Sequence, residues 1–229
     1  MRKRIKSIAG KVLIPLTNWY LRRDRSYQKD NIQITVISGV FHPGLFSSTA
    51  FLYNYLKEHD LKNKSFLELG CGSGFLSIAA ALAGAKATAS DLSSLATKNT
   101  EINCRANEVD VEIILSDVFS NIPVTPFDWI IINPPYYQGS PANEKELAWY
   151  CGEDFDYFKK LFSSLKKYVH EETNVVMVLT LGCDLQRIFY LAKYFGYEFQ
   201  LLKEKAVLFD ERDFLYRIRP VSSFALNQA

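Results

Sequence analysis

From residue 65 onward, short apolar runs of β-type residues alternate with segments whose apolar residues recur at helical spacing. Strands are predicted at 65–69, 86–90, 111–115, 129–133 and 174–181, and helices between them at 75–83, 94–106 and 155–169. In the last helix Phe155, Phe158, Leu161, Phe162, Leu165, Tyr168 and Val169 share one face, and Lys159, Lys160, Lys166 and Lys167 lie mainly off it. A further helix near 185–195 precedes two β-type runs at 198–202 and 214–218. Parallel strands need crossovers, usually helices, and strands that are apolar on both sides must be covered on both sides. The alternation predicts an α/β fold, a doubly wound and mostly parallel sheet with helices on both faces.

Ahead of this series stand an alternating run over 32–37 and a turn at Phe41-His42-Pro43-Gly44. A helix follows to about Leu56, which Ser47 or Ser48 can cap. Residues 1–30 carry nine basic and two acidic side chains, a balance of +7, and the remainder carries −5. This predicts a basic, partly helical appendage over 1–30, packed through Leu13, Ile14, Trp19, Tyr20 and Leu21, on a single domain over 31–229. Three roles stay open for it: a solvated docking arm, a contact for RNA or the ribosome, and a membrane-surface anchor. The apolar stretch 12–16 is too short for a secretion signal, and no apolar run reaches the roughly 18 residues of a bilayer span. Cys71, Cys104, Cys151 and Cys183 form no CxxC pair. Neither a disulfide framework nor a metal site is expected, and a reducing, cytoplasmic compartment is.

The first strand of the series ends in Glu68-Leu69-Gly70-Cys71-Gly72-Ser73-Gly74 and opens a helix. Glycines serve where a ligand must lie against the backbone, and ligands of doubly wound sheets bind at the carboxyl ends of strands. Phe75 stands where a dinucleotide GxGxxG turn requires its third glycine. Asp91 ends the second strand and Asp117 the third. A carboxylate at the first position can accept both hydroxyls of a ribose. One at the second can accept from an adenine amino group, with the Val118 N–H free for a ring nitrogen. Taken singly, either aspartate could be a turn or helix cap.

The fourth strand runs into Asn133-Pro134-Pro135-Tyr136. Two prolines fix φ and remove two donors, and Asn133, preceding a proline, is held extended. The resulting stiff corner offers the Asn133 side-chain oxygen and the Pro134 carbonyl as acceptors beside the flat face of Tyr136. A planar NH₂, in an amide or on a nucleobase, is a poor nucleophile because its lone pair is delocalised. Two acceptors that take its hydrogens orient it, and they bind more strongly as it becomes positive in the transition state.

These segments together resemble the motif series of class I S-adenosylmethionine-dependent methyltransferases. The Asn-Pro-Pro-Tyr tetrad resembles that of the amino-methylating branch, which includes release-factor glutamine N5-methyltransferases and small-domain rRNA and tRNA base methyltransferases. The resemblance covers about residues 36 to 219. It implies a Rossmann-like seven-stranded sheet, six strands parallel and the last antiparallel, and S-adenosyl-L-methionine as cofactor. It implies that Gly70, Cys71, Gly72 and Gly74 face the methionine portion and that Glu68 helps hold the ammonium through water. Asp91 and Leu92 would meet the ribose, and Asp117 and Val118 the adenine. Asn133, Pro134, Pro135 and Tyr136 would position the accepting nitrogen, on a release-factor-like or ribosome-associated protein or on RNA, and Asn133 would also meet the cofactor. The segment 40–49 resembles the stretch that covers the methionine end, and 146–152 stands where glutamine methyltransferases carry a substrate loop. His42-Pro43-Gly44-Leu45 replaces the proline-arginine-proline stretch of the release-factor enzymes, and the build is nearer to compact members that need a partner or read RNA.

Two other functions fit parts of the sequence: a catalytically inactive methyltransferase-like module that binds RNA or the ribosome, for which the basic arm speaks, and a nicotinamide-dependent oxidoreductase, for which Asp91 speaks. The glycine spacing and the proline corner oppose the second. Cys71 is expected to pack rather than attack, His42 to pack in its turn, and His59 and His170 to sit on exposed helix ends.

Overall fold

In a computed structural model, residues 21–207 and 212–221 are described. The predicted packing of Leu13, Ile14, Trp19 and Tyr20 lies outside them. The chain forms β1 (Arg25–Lys29), β2 (Ile32–Val36), α1 (Ser47–Leu56), β3 (Ser65–Leu69), α2 (Phe75–Leu82), β4 (Lys86–Asp91), α3 (Ser94–Ala106) and β5 (Val111–Leu115). Then come β6 (Trp129–Ile132), α4 (Asp156–Ser164), β7 (Asn174–Thr180), α5 (Leu185–Tyr194), β8 (Tyr197–Ala206) and β9 (Arg212–Pro220). The main sheet has the order β5-β4-β3-β6-β7-β9-β8. β9 runs antiparallel to both β7 and β8, so it alone opposes the other six strands.

The central strands are apolar at nearly every position because both sheet faces are covered. Phe66, Trp129, Ile131, Val176 and Val178 pack on the side of α1 and α2. Leu67, Leu69, Ile130, Ile132, Val175 and Met177 pack on the side of α4 and α5. The helix predicted over 155–169 ends at Ser164 and tightens into a 3₁₀ turn, Leu165–Tyr168. Three residues per turn set Tyr168 directly in line with Leu165, and both are buried.

β1 and β2 form a separate antiparallel hairpin, with β1 inside the segment predicted as appendage. β2 buries Ile32, Ile34 and Val36, and its free edge is capped by side chains instead of a strand. Asn99, Asn103 and Asn107, one helical turn apart, bond main-chain groups of Gln33, Thr35 and Ile37 at 2.7–3.2 Å. This asparagine ladder satisfies an edge that would otherwise be open and ties it to α3. Neither Ser47 nor Ser48 caps α1. The N-cap is Phe46, with no side-chain hydrogen bond, and the Ser47 hydroxyl bonds the Asp213 carboxylate instead.

No helix among the described residues is long and apolar enough to cross a membrane. Nor do His, Cys, Asp and Glu side chains among them group to hold a metal.

Candidate active site

The carboxyl ends of β3, β4, β5 and β6 open into one cavity of about 270 Å³. Glu68, Gly70, Cys71, Gly72, Asp91, Leu92, Asp117, Val118, Asn133, Pro134, Pro135 and Tyr136 all line it. Gly74 does not. It is the left-handed N-cap of α2 at φ +79°, and a Cβ there would stand 2.6 Å from the Thr100 side chain, so α3 packing requires the glycine. Gly70 and Gly72 also have positive φ, but no Cβ added there would meet an atom closer than 3.8 Å. Their open side faces the cavity, a backbone cradle against which a ligand can lie.

The cradle is fixed from behind. Gly70 and Cys71 donate to the Ser90 carbonyl at 2.8 and 2.9 Å. Asp91 accepts from the Gly72 N–H through one oxygen and from the Ser93 N–H through the other, both at 2.9 Å. Burial raises the Asp91 pKa, and these amide bonds oppose the rise. Glu68 accepts from the Ser77 N–H at 2.8 Å and the Ser77 hydroxyl at 2.5 Å, which fastens the first turn of α2 to β3. Burial pushes this carboxyl up to about 8. Glu68 is thus a structural tie as well as part of the cavity floor. Cys71 is buried against Thr100, 3.3 Å between Sγ and Oγ1, and burial holds its thiol well above the usual range, which suits packing.

At the far end, Asp117 pairs with Lys160 at 2.5 Å. Val118 holds φ +52°, a conformation that costs a β-branched residue roughly 1–3 kcal/mol. Lys160, from α4, also lines the cavity. It is also exposed, as a residue off the apolar stripe of α4 should be.

The Asn-Pro corner stands beside the cradle because Leu69 and Ile132 pair in the sheet. A Cβ on Gly70 would lie 3.9 Å from the Asn133 carbonyl oxygen. The Asn133 side chain donates through Nδ2 to the Ser48 hydroxyl at 3.3 Å and reaches the Thr49 hydroxyl at 3.5 Å. Its Oδ1 takes no hydrogen bond from any described residue.

Over the corner, residues 137–152 fold back on themselves through bridges Tyr137↔Tyr150 and Gly139↔Gly152. Trp149 meets Phe41 and Phe46 edge-on at 5.6 and 5.1 Å between centroids, and those two stack at 5.0 Å. Glu144 accepts from Ser93 Oγ at 2.7 Å and Leu95 N at 3.2 Å, anchoring the roof to α3. Glu144 and Tyr157 belong to no sequence motif, and the contact of Ser48 and Thr49 with Asn133 joins segments far apart in the chain. His42 is buried against Tyr27, with its Nδ1 accepting from Gly44 N at 3.1 Å. His59 is not on an exposed end but packs on Trp129 at 5.0 Å, whereas His170 is exposed beside Asp128.

Residues 31–197 match the methyltransferase small domain family. A Methanocaldococcus jannaschii protein provisionally named as a protein N5-glutamine methyltransferase is 34% identical over 146 residues, which cover 62% of this chain and 72% of that one. The ribosomal RNA small subunit methyltransferase C of Photorhabdus laumondii is 32% identical over 127 residues, 53% of this chain but 35% of that protein. The structure of a T. thermophilus 16S rRNA N2 methyltransferase in complex with AdoMet and guanosine superposes with TM-score 0.60 at 18% identity, over 86% of this chain and 50% of that one. By sequence, the chain belongs to the methyltransferase small domain family.

Proposed function

We propose that this chain is an S-adenosylmethionine-dependent N-methyltransferase acting on a planar nitrogen. The observation that carries the reading is the meeting of a glycine cradle and an Asn-Pro corner across adjacent strands, with Asn133 Oδ1 unengaged by described residues. The residues fit the cofactor: an open backbone cradle at Gly70 and Gly72, acceptor carboxylates at Asp91 and Asp117, and the Val118 amide. When bound, S-adenosylmethionine supplies an electrophilic methyl group on a positively charged sulfur. Gly70, Cys71 and Gly72 hold its methionine portion, Asp91 and Leu92 its ribose, and Asp117 with Val118 its adenine. Glu68 secures the cradle from below.

Asn133 Oδ1 and the Pro134 carbonyl accept the two N–H bonds of the substrate nitrogen. They turn its lone pair out of the π-system, and their attraction grows as the nitrogen gains positive charge. Pro135 stiffens the corner, and Tyr136 offers a flat surface to a planar acceptor. No strong base is needed, because the proton becomes acidic once the methyl group has moved.

The acceptor is a protein glutamine amide or the exocyclic amine of an RNA base, in the cytoplasm. The M. jannaschii and rRNA methyltransferase relatives support one each. The chain spans about a third of the rRNA enzymes' length, so their substrate is not carried over whole. Residues 31–229 carry the reaction. The basic segment 1–30 attracts RNA or a ribosome-associated protein by its charge.

The test is incubation with methyl-labelled cofactor and an extract of cells lacking the gene, followed by nuclease or protease digestion. Wild type should label one class of macromolecule, and Asn133→Ala should lower labelling by roughly 10²–10³-fold with cofactor affinity unchanged. Undiminished labelling by the variant would refute the mechanism.

A further inference from the structure

Tyr157 lies in the first turn of α4, its N–H bonded to the Cys151 carbonyl at 2.9 Å. Its ring meets Phe158 edge-on at 5.4 Å and packs on the apolar layer that α4 buries. Packing therefore fixes the ring on the cavity wall that also carries Asp91, Asp117 and Lys160. Yet its hydroxyl oxygen is shut off from solvent and has no hydrogen-bond partner among the described residues.

Buried hydroxyls are rarely left so, because the lost hydration is then uncompensated. Tyr168, just beyond the same helix, shows the usual solution. Its hydroxyl is held against the Phe119 and Ile122 carbonyls at 3.2 and 3.0 Å. A phenylalanine at 157 would fill the same space without the cost. The strained backbone of Val118 is a second departure from a relaxed fold on this wall. Both are expected where a surface is shaped for something outside the chain.

The neighbouring groups narrow down what that is. The Asp91 and Asp117 carboxylates accept only, so they suit a ligand's hydroxyl and amino hydrogens. The Tyr157 hydroxyl, kept protonated by burial and by those two negative charges, is the complementary donor. A ligand with a ring acceptor placed between a diol and an amino group answers all three, and a nucleoside with an exocyclic amine has that pattern. We infer that the Tyr157 hydroxyl donates a hydrogen bond to a ring acceptor of the cofactor's adenosine, and so helps specify the nucleoside end. This rests on the cofactor reading above.

Calorimetry of wild type and Tyr157→Phe with S-adenosylhomocysteine and with 5′-methylthioadenosine tests it, beside thermal unfolding of both proteins without ligand. Both ligands should bind the variant roughly 5- to 20-fold more weakly. The unliganded variant should unfold at the same temperature or higher. If wild type binds neither ligand, the cofactor reading falls and takes this assignment with it. If wild type binds and the variant binds equally, the assignment alone falls. It falls too if only S-adenosylhomocysteine is weakened, which would move the contact off the adenosine. A less stable unliganded variant would likewise overturn it, by revealing a partner within the protein.

Discussion

On the cofactor side of the cleft the glycine cradle and both carboxylates come from strand ends and the turns after them; on the acceptor side the groups come from distant segments, Asn133 meeting Ser48 across 85 residues. Gly70–Gly72, Asp91 and Asp117 follow β3, β4 and β5, and sheet register alone brings them into line. Asn133 follows β6 in the same way, but its side chain is turned by α1, and its surroundings are closed by the aromatic contact of 41–46 with Trp149. A site made by register is built wherever the sheet is built. A site made by cross-segment contacts can be altered without touching the sheet, so specificity for the acceptor can vary on a constant cofactor frame.

If that division is real, lesions on the two sides should separate. On the cofactor side the largest effect is expected at Asp91, which holds both the Gly72 and Ser93 amides and offers its remaining lone pairs to the ligand. Asp91→Ala should weaken S-adenosylhomocysteine binding by roughly 10²-fold, measured by calorimetry. A loss under threefold would mean that the cradle stands without its carboxylate.

Glu68 probes the same side through pH. In the unfolded chain its carboxyl titrates near 4.5, and in the fold near 8. Between those values the folded state binds the extra proton. Its contribution to stability is therefore complete below about pH 4.5 and is lost as pH rises through 8. The slope reaches at most roughly 1.4 kcal/mol per pH unit. Urea unfolding of Glu68→Gln from pH 5 to 8.5 should lack this component, whereas an unchanged slope would show that Glu68 ionises normally beneath the cradle.

The same division governs what could be read without coordinates. The β/α alternation, the seven-stranded, mostly parallel sheet implied by the resemblance and the cavity-lining residues at strand ends were legible, because they depend on local pattern and on parallel pairing. Gly74 was misassigned because a glycine required by Thr100 has the same one-letter signature as one required by a ligand. The asparagine ladder on α3 was invisible, since three polar residues at helical spacing normally mark a wet face and here meet a bare strand edge. β8 and β9 run longer than their apolar cores predicted. Polar residues such as Lys203, Glu204 and Lys205 extend the ladder at the sheet edge, where no periodicity marks them. Lys160 and Tyr157 face the cavity only because α4 packs at one particular rotation.

The smallest effect, and the most selective, is expected at the α1 hydroxyls. An amide side chain presents opposite hydrogen-bonding ends, and Ser48 and Thr49 engage the NH₂ end of Asn133. That leaves the oxygen for a substrate N–H, whereas a flipped amide would present a donor to a donor. Ser48 and Thr49 are thus positioning residues, with Ser48 at 3.3 Å the stronger and Thr49 at 3.5 Å at the limit of a useful bond. The double variant Ser48→Ala, Thr49→Val should lower the rate of methyl transfer by about 3- to 10-fold while S-adenosylhomocysteine binds as before. Ser48→Thr should keep most of the rate, since it restores a hydroxyl at the same place. If cofactor affinity fell in step with rate, the two sides of the cleft would be one mechanical unit, and acceptor specificity could not change independently of the cradle.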